Sequence, residues 1–275
     1  MVHAPLVSCS TLAEHLDDPK WVVFDCRHAL MDPDAGPKEY AKGHIPGAFH
    51  AHIDRDLAGP AGNGGKGRHP LPIPGAFQRF LRTHGVDDDS QVVCYDDAGG
   101  TWAARLWWLL RHHGHAAVAV LDGGITRWKI QGRPLSKEHR KARDGDFSGK
   151  AGAMPIVQAD DLDGRVLIDA RAPERFRGEL EPIDPVAGHI PGARNLPHAG
   201  NLNTDGRFLS PDELKARYEG LDAAQTVVYC GSGVTAAHDV LAMELAGLGT
   251  PALYPGSWSE WSRAGRPVAT GDEPL

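Results

Sequence analysis

The chain alternates short runs of β-branched residues with longer segments whose apolar positions recur at helical spacing. The short runs lie at 22–24, 92–95, 118–121, 166–168 and 227–229, and the clearest helical segments lie at 102–111 and 236–246. Short buried strands that alternate with helices are typical of parallel α/β units. The pattern therefore predicts an α/β fold built on mostly parallel sheets.

The two halves of the chain repeat the same motifs in the same order. Gly-His-Ile-Pro-Gly-Ala stands at 43–48 and again at 188–193. Val-Val-Phe-Asp-Cys-Arg at 22–27 is matched by Val-Leu-Ile-Asp-Ala-Arg at 166–171. Such ordered repetition predicts two copies of one fold. We place the domains at 1–137 and 155–275, and they are joined by a polar, glycine-containing linker at 138–154.

The two copies differ at one chemically important position. The first copy has Asp96 after its strand at 92–95, whereas the second has Cys230 after its strand at 227–229. In parallel sheets, ligands bind outside the carboxyl ends of the strands and against helix N-termini. Because the second copy keeps a nucleophile at this place, we expect it to be catalytic and the first copy to be non-catalytic.

Cys230 opens a glycine-rich turn that leads into the predicted helix. The turn consists of Cys230, Gly231, Ser232, Gly233, Val234 and Thr235. Its two glycines let successive backbone N–H groups point inward as an anion-binding concavity, and the helix N-terminus adds partial positive charge. Such a turn should stabilise a thiolate or a persulfide. The alternative interpretation is a buried structural cysteine beside a tight turn.

Composition narrows the range of partners. The 275 residues carry a formal net charge of −7 at pH 7, with 41% hydrophobic and 24% charged residues. The acidic balance and the lack of a long Lys/Arg run argue against nucleic acid. No apolar run approaches the ~20 residues that span a bilayer. The four cysteines form no C-x-x-C pair, so neither a zinc knuckle nor a disulfide framework is suggested. No metal or other cofactor is expected. The expected location is the cytoplasm.

Several histidines are interpreted as structural. His44 and His189 recur in both copies and are expected to hold the fold rather than to do chemistry. His112, His113 and His115 are predicted to form a polar turn at the end of the helix at 102–111.

The motifs of this chain resemble those of the tandem-domain rhodanese family. The matching features are Cys-Gly-Ser-Gly-Val-Thr at 230–235, the two Gly-His-Ile-Pro-Gly-Ala boxes, and Gly-Ser-Trp-Ser-Glu-Trp at 256–261. Together they look most like the 3-mercaptopyruvate sulfurtransferases within that family. The resemblance covers nearly the whole chain. It implies two tandem rhodanese-like domains, each a mostly parallel sheet flanked by helices.

The resemblance also implies which residues carry the chemistry. It maps Asp54, His69 and Ser232 onto polar residues that assist catalysis. It maps Arg175 onto an arginine that binds the substrate carboxylate. The turn residues expected to cradle the substrate are Gly231, Gly233, Val234 and Thr235. The mercaptopyruvate branch commonly has a second arginine shortly before the second Gly-His-Ile-Pro box, where this chain has Ile183.

The predicted activity is transfer of sulfane sulfur from 3-mercaptopyruvate, through a Cys230 persulfide, to a thiol acceptor such as thioredoxin or to cyanide. Thiosulfate is the alternative donor, although thiosulfate sulfurtransferases typically have cationic residues where this chain has Gly231 and Ser232. A cysteine phosphatase would need an arginine at the position of Ala236. A non-catalytic sulfur-binding module is a further alternative, and the intact cysteine turn disfavours it.

Overall fold

The computed structural model describes residues 4–61 and 66–272, which fall into two compact units. Unit 1 takes in the described residues of Met1–Gly59, Pro72–Ala153 and Thr204–Arg207, and unit 2 those of Pro60–Leu71, Met154–Asn203 and Phe208–Leu275. Pro60–Leu71, which we call the arm, therefore belongs to unit 2 although it lies within the first repeat of the sequence. The domain boundaries inferred from the repeat differ from this division and stay a prediction.

Unit 1 is built on a sheet whose described strands pair in parallel. The strands are β1 (Leu6–Val7), β2 (Trp21–Asp25), β3 (Phe49–His50), β4 (Gln91–Tyr95) and β5 (Val118–Leu121), in the order β1-β5-β4-β2-β3. The helices are α1 (Cys9–Glu14), α2 (Ala35–Lys42), α3 (Ile53–Asp56), α4 (Pro74–Thr83), α5 (Ala103–His112) and α6 (Gly124–Ile130). Every residue of β2, β4 and β5 is buried, as expected for a parallel sheet covered on both faces.

Unit 2 has a parallel sheet of its own. Its strands are β6 (Val166–Asp169), β7 (Arg194–Asn195), β8 (Thr226–Tyr229) and β9 (Ala252–Leu253), in the order β7-β6-β8-β9. Its helices are α7 (Pro173–Phe176), α8 (Pro211–Arg217), α9 (Ala236–Leu245) and α10 (Ser257–Trp261). The predicted α/β fold with two parallel sheets flanked by helices is confirmed. In the part of the chain that the structure describes, no helix is both long enough and apolar enough to cross a membrane.

The repeated Asp-x-Arg motif ties a strand end to the Gly-His-Ile-Pro box. In unit 2, Nη2 of Arg171 donates to Oδ2 of Asp169 (2.6 Å) and to the carbonyl oxygen of Gly188 (2.7 Å). The corresponding residues of unit 1 are Arg27, Asp25 and Gly43. The motif is thus a structural ion pair at the end of β2 and again at the end of β6.

The histidine of the Gly-His-Ile-Pro box has a structural role in both units, as predicted. His189 stacks on Phe176 with 3.6 Å between ring centroids, and its Nδ1 lies 2.8 Å from the carbonyl oxygen of Phe176. His44 stacks on Tyr40 in the same way, at 3.8 Å. These contacts hold each box against a neighbouring helix, α7 in unit 2 and α2 in unit 1.

Candidate active site

Cys230 stands at the carboxyl end of β8, where the chain turns into α9. Its side chain is buried, and Sγ accepts hydrogen bonds from the backbone N–H groups of Ser232 (3.5 Å) and Gly233 (3.2 Å). These donors and the N-terminus of α9 favour negative charge at the sulfur. The turn therefore has the geometry to stabilise a thiolate or a persulfide.

Glycine is required at one position of this turn and leaves room for an arginine at another. Gly233 has a φ of +76°, and a Cβ there would lie 2.4 Å from the carbonyl oxygen of Pro255. A Cβ on Gly231 would lie 2.9 Å from Nη2 of Arg68. A larger residue would strain the backbone at 233 and would displace the Arg68 side chain at 231.

Val234 and Thr235 complete the turn and directly precede α9. The N–H groups of Ala237 and His238 donate to the carbonyl oxygens of Val234 and Thr235 respectively, each at 3.1 Å. The Val234 side chain is buried. These two residues therefore fix the helix to the turn, and their contact with a substrate stays a prediction.

The beginning of α10 supports the turn through its backbone. Trp258 N donates to the carbonyl oxygen of Cys230 (3.0 Å), and Ser259 N donates to that of Gly231 (2.9 Å). Cys230 N in turn donates to Oγ of Ser257 (3.2 Å). The backbone of Cys230 is thus held at both its N–H and its carbonyl group.

The arm brings His69 to the turn. Nδ1 of His69 lies 2.7 Å from Oγ of Ser232, and both side chains are buried. A hydrogen bond from Arg68 N to Oγ of Ser259 (3.0 Å) anchors the arm next to it. The structure therefore brings together three of the predicted catalytic residues, which are Cys230, Ser232 and His69.

Arg175 is held beside the turn by two buried carboxylates. Its Nη2 donates to Oε1 (2.7 Å) and Oε2 (2.9 Å) of Glu181, and lies 3.6 Å from Oδ2 of Asp184. Its Nη1 would lie 3.4 Å from a Cβ on Gly231. The guanidinium group is thus next to the residue that follows Cys230, and its binding of a substrate carboxylate stays a prediction.

Arg68 is a second cation at this place, and the motifs did not indicate it. Its Nη1 forms an ion pair with Oδ1 of Asp184, while its Nη2 approaches Gly231. Arg263 reaches the same carboxylate oxygen from a more exposed position, at 3.6 Å. Asp184 therefore gathers three guanidinium groups. The one sequence signal for Arg68 is its place directly before His69.

Asp54 lies on α3 of unit 1, whereas Cys230 lies in unit 2. The N–H of Asp54 donates to Nδ1 of His52 (3.2 Å), and its Oδ2 lies 3.9 Å from the same nitrogen. A role of Asp54 in catalysis stays a prediction.

Asp96 occupies in unit 1 the position that Cys230 has in unit 2. Its buried carboxylate accepts backbone hydrogen bonds at 2.7–2.9 Å from Ala98, Gly100, Trp102 and Ala103. Burial raises the pKa of Asp96, and these N–H groups oppose the rise. The turn of unit 1 thus surrounds a side-chain carboxylate with the kind of donors that surround the sulfur in unit 2.

Within residues 4–61 and 66–272, no group of three or more His, Cys, Asp or Glu side chains is arranged to hold a metal ion. His50 and His52 come near each other, with 6.0 Å between ring centroids. Their ring nitrogens face the backbone instead: Nε2 of His52 lies 3.1 Å from the carbonyl oxygen of Pro33, and Nε2 of His50 lies 3.4 Å from that of Arg27.

Comparison with known proteins agrees with this architecture. A model of the rhodanese-like domain family matches residues 8–131 and 156–264. The chain belongs to the rhodanese-like domain family. The two matched segments of this rhodanese-like chain correspond to the two copies that the repeated motifs predict, so the predicted family is confirmed.

Relatives of this rhodanese-like chain carry sulfurtransferase names. It is 48% identical over 284 residues to the probable 3-mercaptopyruvate sulfurtransferase of Pseudomonas aeruginosa, and the match covers 99% of this chain and 100% of that protein. It is 41% identical over 262 residues to the putative thiosulfate sulfurtransferase SseB of Mycobacterium tuberculosis, with 90% of each chain covered. The solved 3-mercaptopyruvate sulfurtransferase from Leishmania major aligns with a TM-score of 0.85 and 33% identity, over 94% of this chain and 74% of that one.

Proposed function

We propose that this rhodanese-like protein is a sulfurtransferase that takes sulfur from 3-mercaptopyruvate and holds it as a persulfide on Cys230. The observation that carries the proposal is the turn around Sγ, where the N–H groups of Ser232 and Gly233 both donate to the sulfur. Both halves of a persulfide cycle need an anionic sulfur, and hydrogen bonds to a charged acceptor are the stronger ones. The name of the 48% identical relative supports the choice of donor.

In the first half of the cycle, the Cys230 thiolate attacks the thiol sulfur of 3-mercaptopyruvate. A sulfur–sulfur bond forms, the carbon–sulfur bond of the donor breaks, and pyruvate leaves as its enolate. The proton of the donor thiol ends on the methyl carbon of pyruvate. A thiolate and a donor carboxylate thereby become a persulfide anion and pyruvate, so that atoms and charge balance without a further oxidant or reductant.

His69 and Ser232 are proposed to move that proton. Their side chains form a buried pair with 2.7 Å between Nδ1 and Oγ, and Ser232 belongs to the same turn as Cys230. A positioned acid–base group typically contributes ~10²–10⁴-fold to a rate. Asp54 is proposed to be the third residue that assists this proton transfer.

The donor carboxylate is proposed to bind between Arg175 and Arg68. The ion-pair network around them contains three arginines and two carboxylates, apart from the Arg171–Asp169 pair, which contacts Glu181 and adds no net charge. The set comprises Arg68, Arg175, Arg263, Glu181 and Asp184. Three positive and two negative side chains leave one positive charge, which a bound monocarboxylate neutralises. Guanidinium groups also match the planar geometry of a carboxylate through paired hydrogen bonds.

In the second half of the cycle, an acceptor attacks the outer sulfur and Cys230 leaves as a thiolate. A thiol such as that of thioredoxin is the proposed acceptor, and cyanide can replace it because it forms thiocyanate with the same charge balance. We place this reaction in the cytoplasm.

Thiosulfate is the second candidate donor, and one observation favours it. The turn itself has no cation at 231–232, but Arg68 and Arg175 bring positive charge to Gly231 from other segments. The relative from Mycobacterium tuberculosis is named a putative thiosulfate sulfurtransferase. Thiosulfate, however, carries two negative charges, one more than the excess charge of the arginine cluster. This mismatch favours 3-mercaptopyruvate.

Initial rates with each donor, with cyanide as the acceptor, test the proposal. We expect a kcat/KM about tenfold or more in favour of 3-mercaptopyruvate, the effect of one well-matched charged contact. Mass spectrometry after donor treatment should find one added sulfur on the Cys230 peptide. A wide preference for thiosulfate would contradict the donor, while an unmodified Cys230 would contradict the mechanism itself.

A further inference from the structure

Ser257 has an unusual backbone conformation directly beside the nucleophile. Its φ is +54°, and among the described residues it alone has a positive φ without being glycine. Only a few per cent of non-glycine residues adopt such angles, because the Cβ atom is crowded there. Conformations of this kind are concentrated at functional sites, where the surrounding structure maintains them.

The first copy of the fold provides a comparison within the same chain. Gly124 stands at the position of Ser257 and has the same φ of +54°. The equivalent backbone hydrogen bonds are Ile125 N to Asp96 O (2.9 Å) and Trp258 N to Cys230 O (3.0 Å). The fold therefore uses the same left-handed conformation twice. The copy without a nucleophile has glycine there, and the copy with the nucleophile has serine.

The Ser257 hydroxyl makes two hydrogen bonds that glycine could not make. It donates to the carbonyl oxygen of Tyr254 (2.9 Å) and accepts from the backbone N–H of Cys230 (3.2 Å). The first bond directs the hydroxyl hydrogen toward Tyr254, so that a lone pair faces the amide of Cys230. Both Ser257 and Cys230 are buried, which makes each of these bonds costly to lose.

We propose that Ser257 is a positioning residue for the nucleophile, an inference that rests on the proposed function of Cys230. Its hydroxyl fixes the amide of Cys230, and that orientation sets the direction in which the turn presents the N–H groups of Ser232 and Gly233 to Sγ. The left-handed backbone is common to both copies, and at position 257 it places a serine hydroxyl within hydrogen-bonding distance of this amide. Ser257 acts on the reaction through the turn and makes no contact with the donor.

The effect should therefore appear in kcat and not in KM. When the amide of Cys230 is released, the N–H groups of the turn are less well directed at the sulfur whose charge changes during transfer. We expect kcat to fall about tenfold, the effect of weakening one of the N–H hydrogen bonds that the turn directs at the charged sulfur. KM should stay within about twofold, because the arginine cluster that is proposed to hold the donor is unchanged.

Two substitutions distinguish the effect of losing the hydroxyl from the effect of backbone strain. Ser257→Gly and Ser257→Ala both remove the hydroxyl, but only alanine keeps a Cβ at positive φ. We expect equal losses of kcat with 3-mercaptopyruvate, while the glycine variant has the higher melting temperature. If Ser257 only stabilised the fold, kcat would fall further in the less stable alanine variant than in the glycine variant.

Ser262→Ala is the matched control. It removes another buried hydroxyl from the same segment, one that donates to the carbonyl oxygen of Trp258 (2.8 Å). Its kcat should stay within about twofold of wild type. The proposal is overturned if Ser257→Gly retains full kcat, or if Ser262→Ala loses as much. Should the wild-type protein use thiosulfate and not 3-mercaptopyruvate, the donor proposal fails, and the same ratios measured with thiosulfate still decide the role of Ser257.

Discussion

All four cysteines of the chain are buried, but their surroundings differ. Burial raises the pKa of the Cys9 thiol, and burial together with the adjacent Cys94 raises the pKa of Cys26. A thiol with a raised pKa keeps its proton at neutral pH, and the protonated form is the poorer nucleophile. The sulfur of Cys230 accepts hydrogen bonds from two backbone N–H groups and lies in the same turn as Ser232, which contacts His69. Sulfur from the donor is therefore expected on Cys230.

Cys230→Ser should abolish both the sulfur adduct and turnover, because no other thiol has a comparable turn among the described residues. Cys9→Ser is the control and should keep kcat within about twofold. Intact-peptide mass spectrometry after treatment with 3-mercaptopyruvate measures the adduct. Added sulfur on the Cys26 or Cys94 peptide, with Cys230 unmodified, would refute this mechanism.

Arg68→Gln should raise KM for 3-mercaptopyruvate about tenfold or more, because it removes a charge-assisted contact to the carboxylate. Mercaptoacetone, which has the same thiol and ketone but no carboxylate, should show no such loss. Arg263→Gln is the matched control, since Arg263 contacts the same Asp184 from a more exposed position. Steady-state kinetics with both donors show whether the loss depends on the donor carboxylate. Equal losses with the two donors would show that Arg68 does not serve the carboxylate.

At the scale of single residues, a site residue could be predicted when it belonged to a recognisable motif. Cys230 and Ser232 lie in one short motif, and the resemblance to the family indicated His69. Arg68 was missed because its partner Asp184 is 116 positions away, and neither periodicity nor spacing connects them. Contacts of this kind arise only when the chain has folded.

Among the helices, α9 carries a buried acid in addition to its contact with the cysteine turn. Asp239 is fully buried, and Nδ2 of Asn201 donates to its Oδ1 (2.6 Å). Burial raises the pKa of Asp239 to about 7, and the hydrogen bond from Asn201 opposes the rise. The ordinary value for aspartate is 3.8, so the folded protein keeps a proton here that the unfolded chain releases. The free energy of unfolding therefore depends on pH through Asp239.

Asp239→Asn should reduce that dependence. Between about pH 4 and pH 7 the folded state binds the proton and the unfolded state does not, so the free energy of unfolding falls as the pH rises through this window. The wild-type protein should lose about 2 kcal/mol more than the variant between pH 5 and pH 8. Urea unfolding at the two pH values measures the difference, and buried histidines cancel because both proteins contain them. An equal loss in the two proteins would contradict the raised pKa.

The elements themselves were largely predictable, but their ends were not. The helix predicted at 102–111 is α5, and the one predicted at 236–246 is α9. His112 ends α5 and His113 caps it, so the expected C-terminal turn is present, but its expected polar surroundings were wrong because His112, His113 and His115 are all buried. Burial lowers the pKa of His113 and His115, which favours their neutral form. Polar composition at a helix end does not reveal what packs against that end.

At the scale of the whole molecule, the residues at Cys230 come from both halves of the sequence. Arg68 and His69 lie on the arm, before the predicted linker at 138–154, and the arm nevertheless belongs to unit 2. Unit 2 is therefore not one continuous segment of chain. The duplication, the fold and the family were predictable because the motifs recur in order. The place of the arm was not, since sequence order assigns it to the first copy.

A fragment beginning at Met154 should turn over donor poorly, at about 1% of the full-length rate or less, because it lacks His69 and Arg68. Circular dichroism establishes whether the fragment is folded, and the cyanide assay then gives its rate. If the fragment does not fold, full-length His69→Ala tests the same point. Full activity of the folded fragment would show that the arm is dispensable.

The arm also limits how the gene can be rearranged. A tandem duplication usually leaves two modules that recombination can separate or exchange at the linker. Here the codons for Arg68 and His69 lie on one side of that linker, and those for Cys230 and Ser232 lie on the other. A crossover in the linker would part a histidine from the serine to which it is hydrogen-bonded. We therefore expect the two copies to be inherited as one unit, with substitutions at 68–69 and 230–232 arising in concert across descendants of this gene.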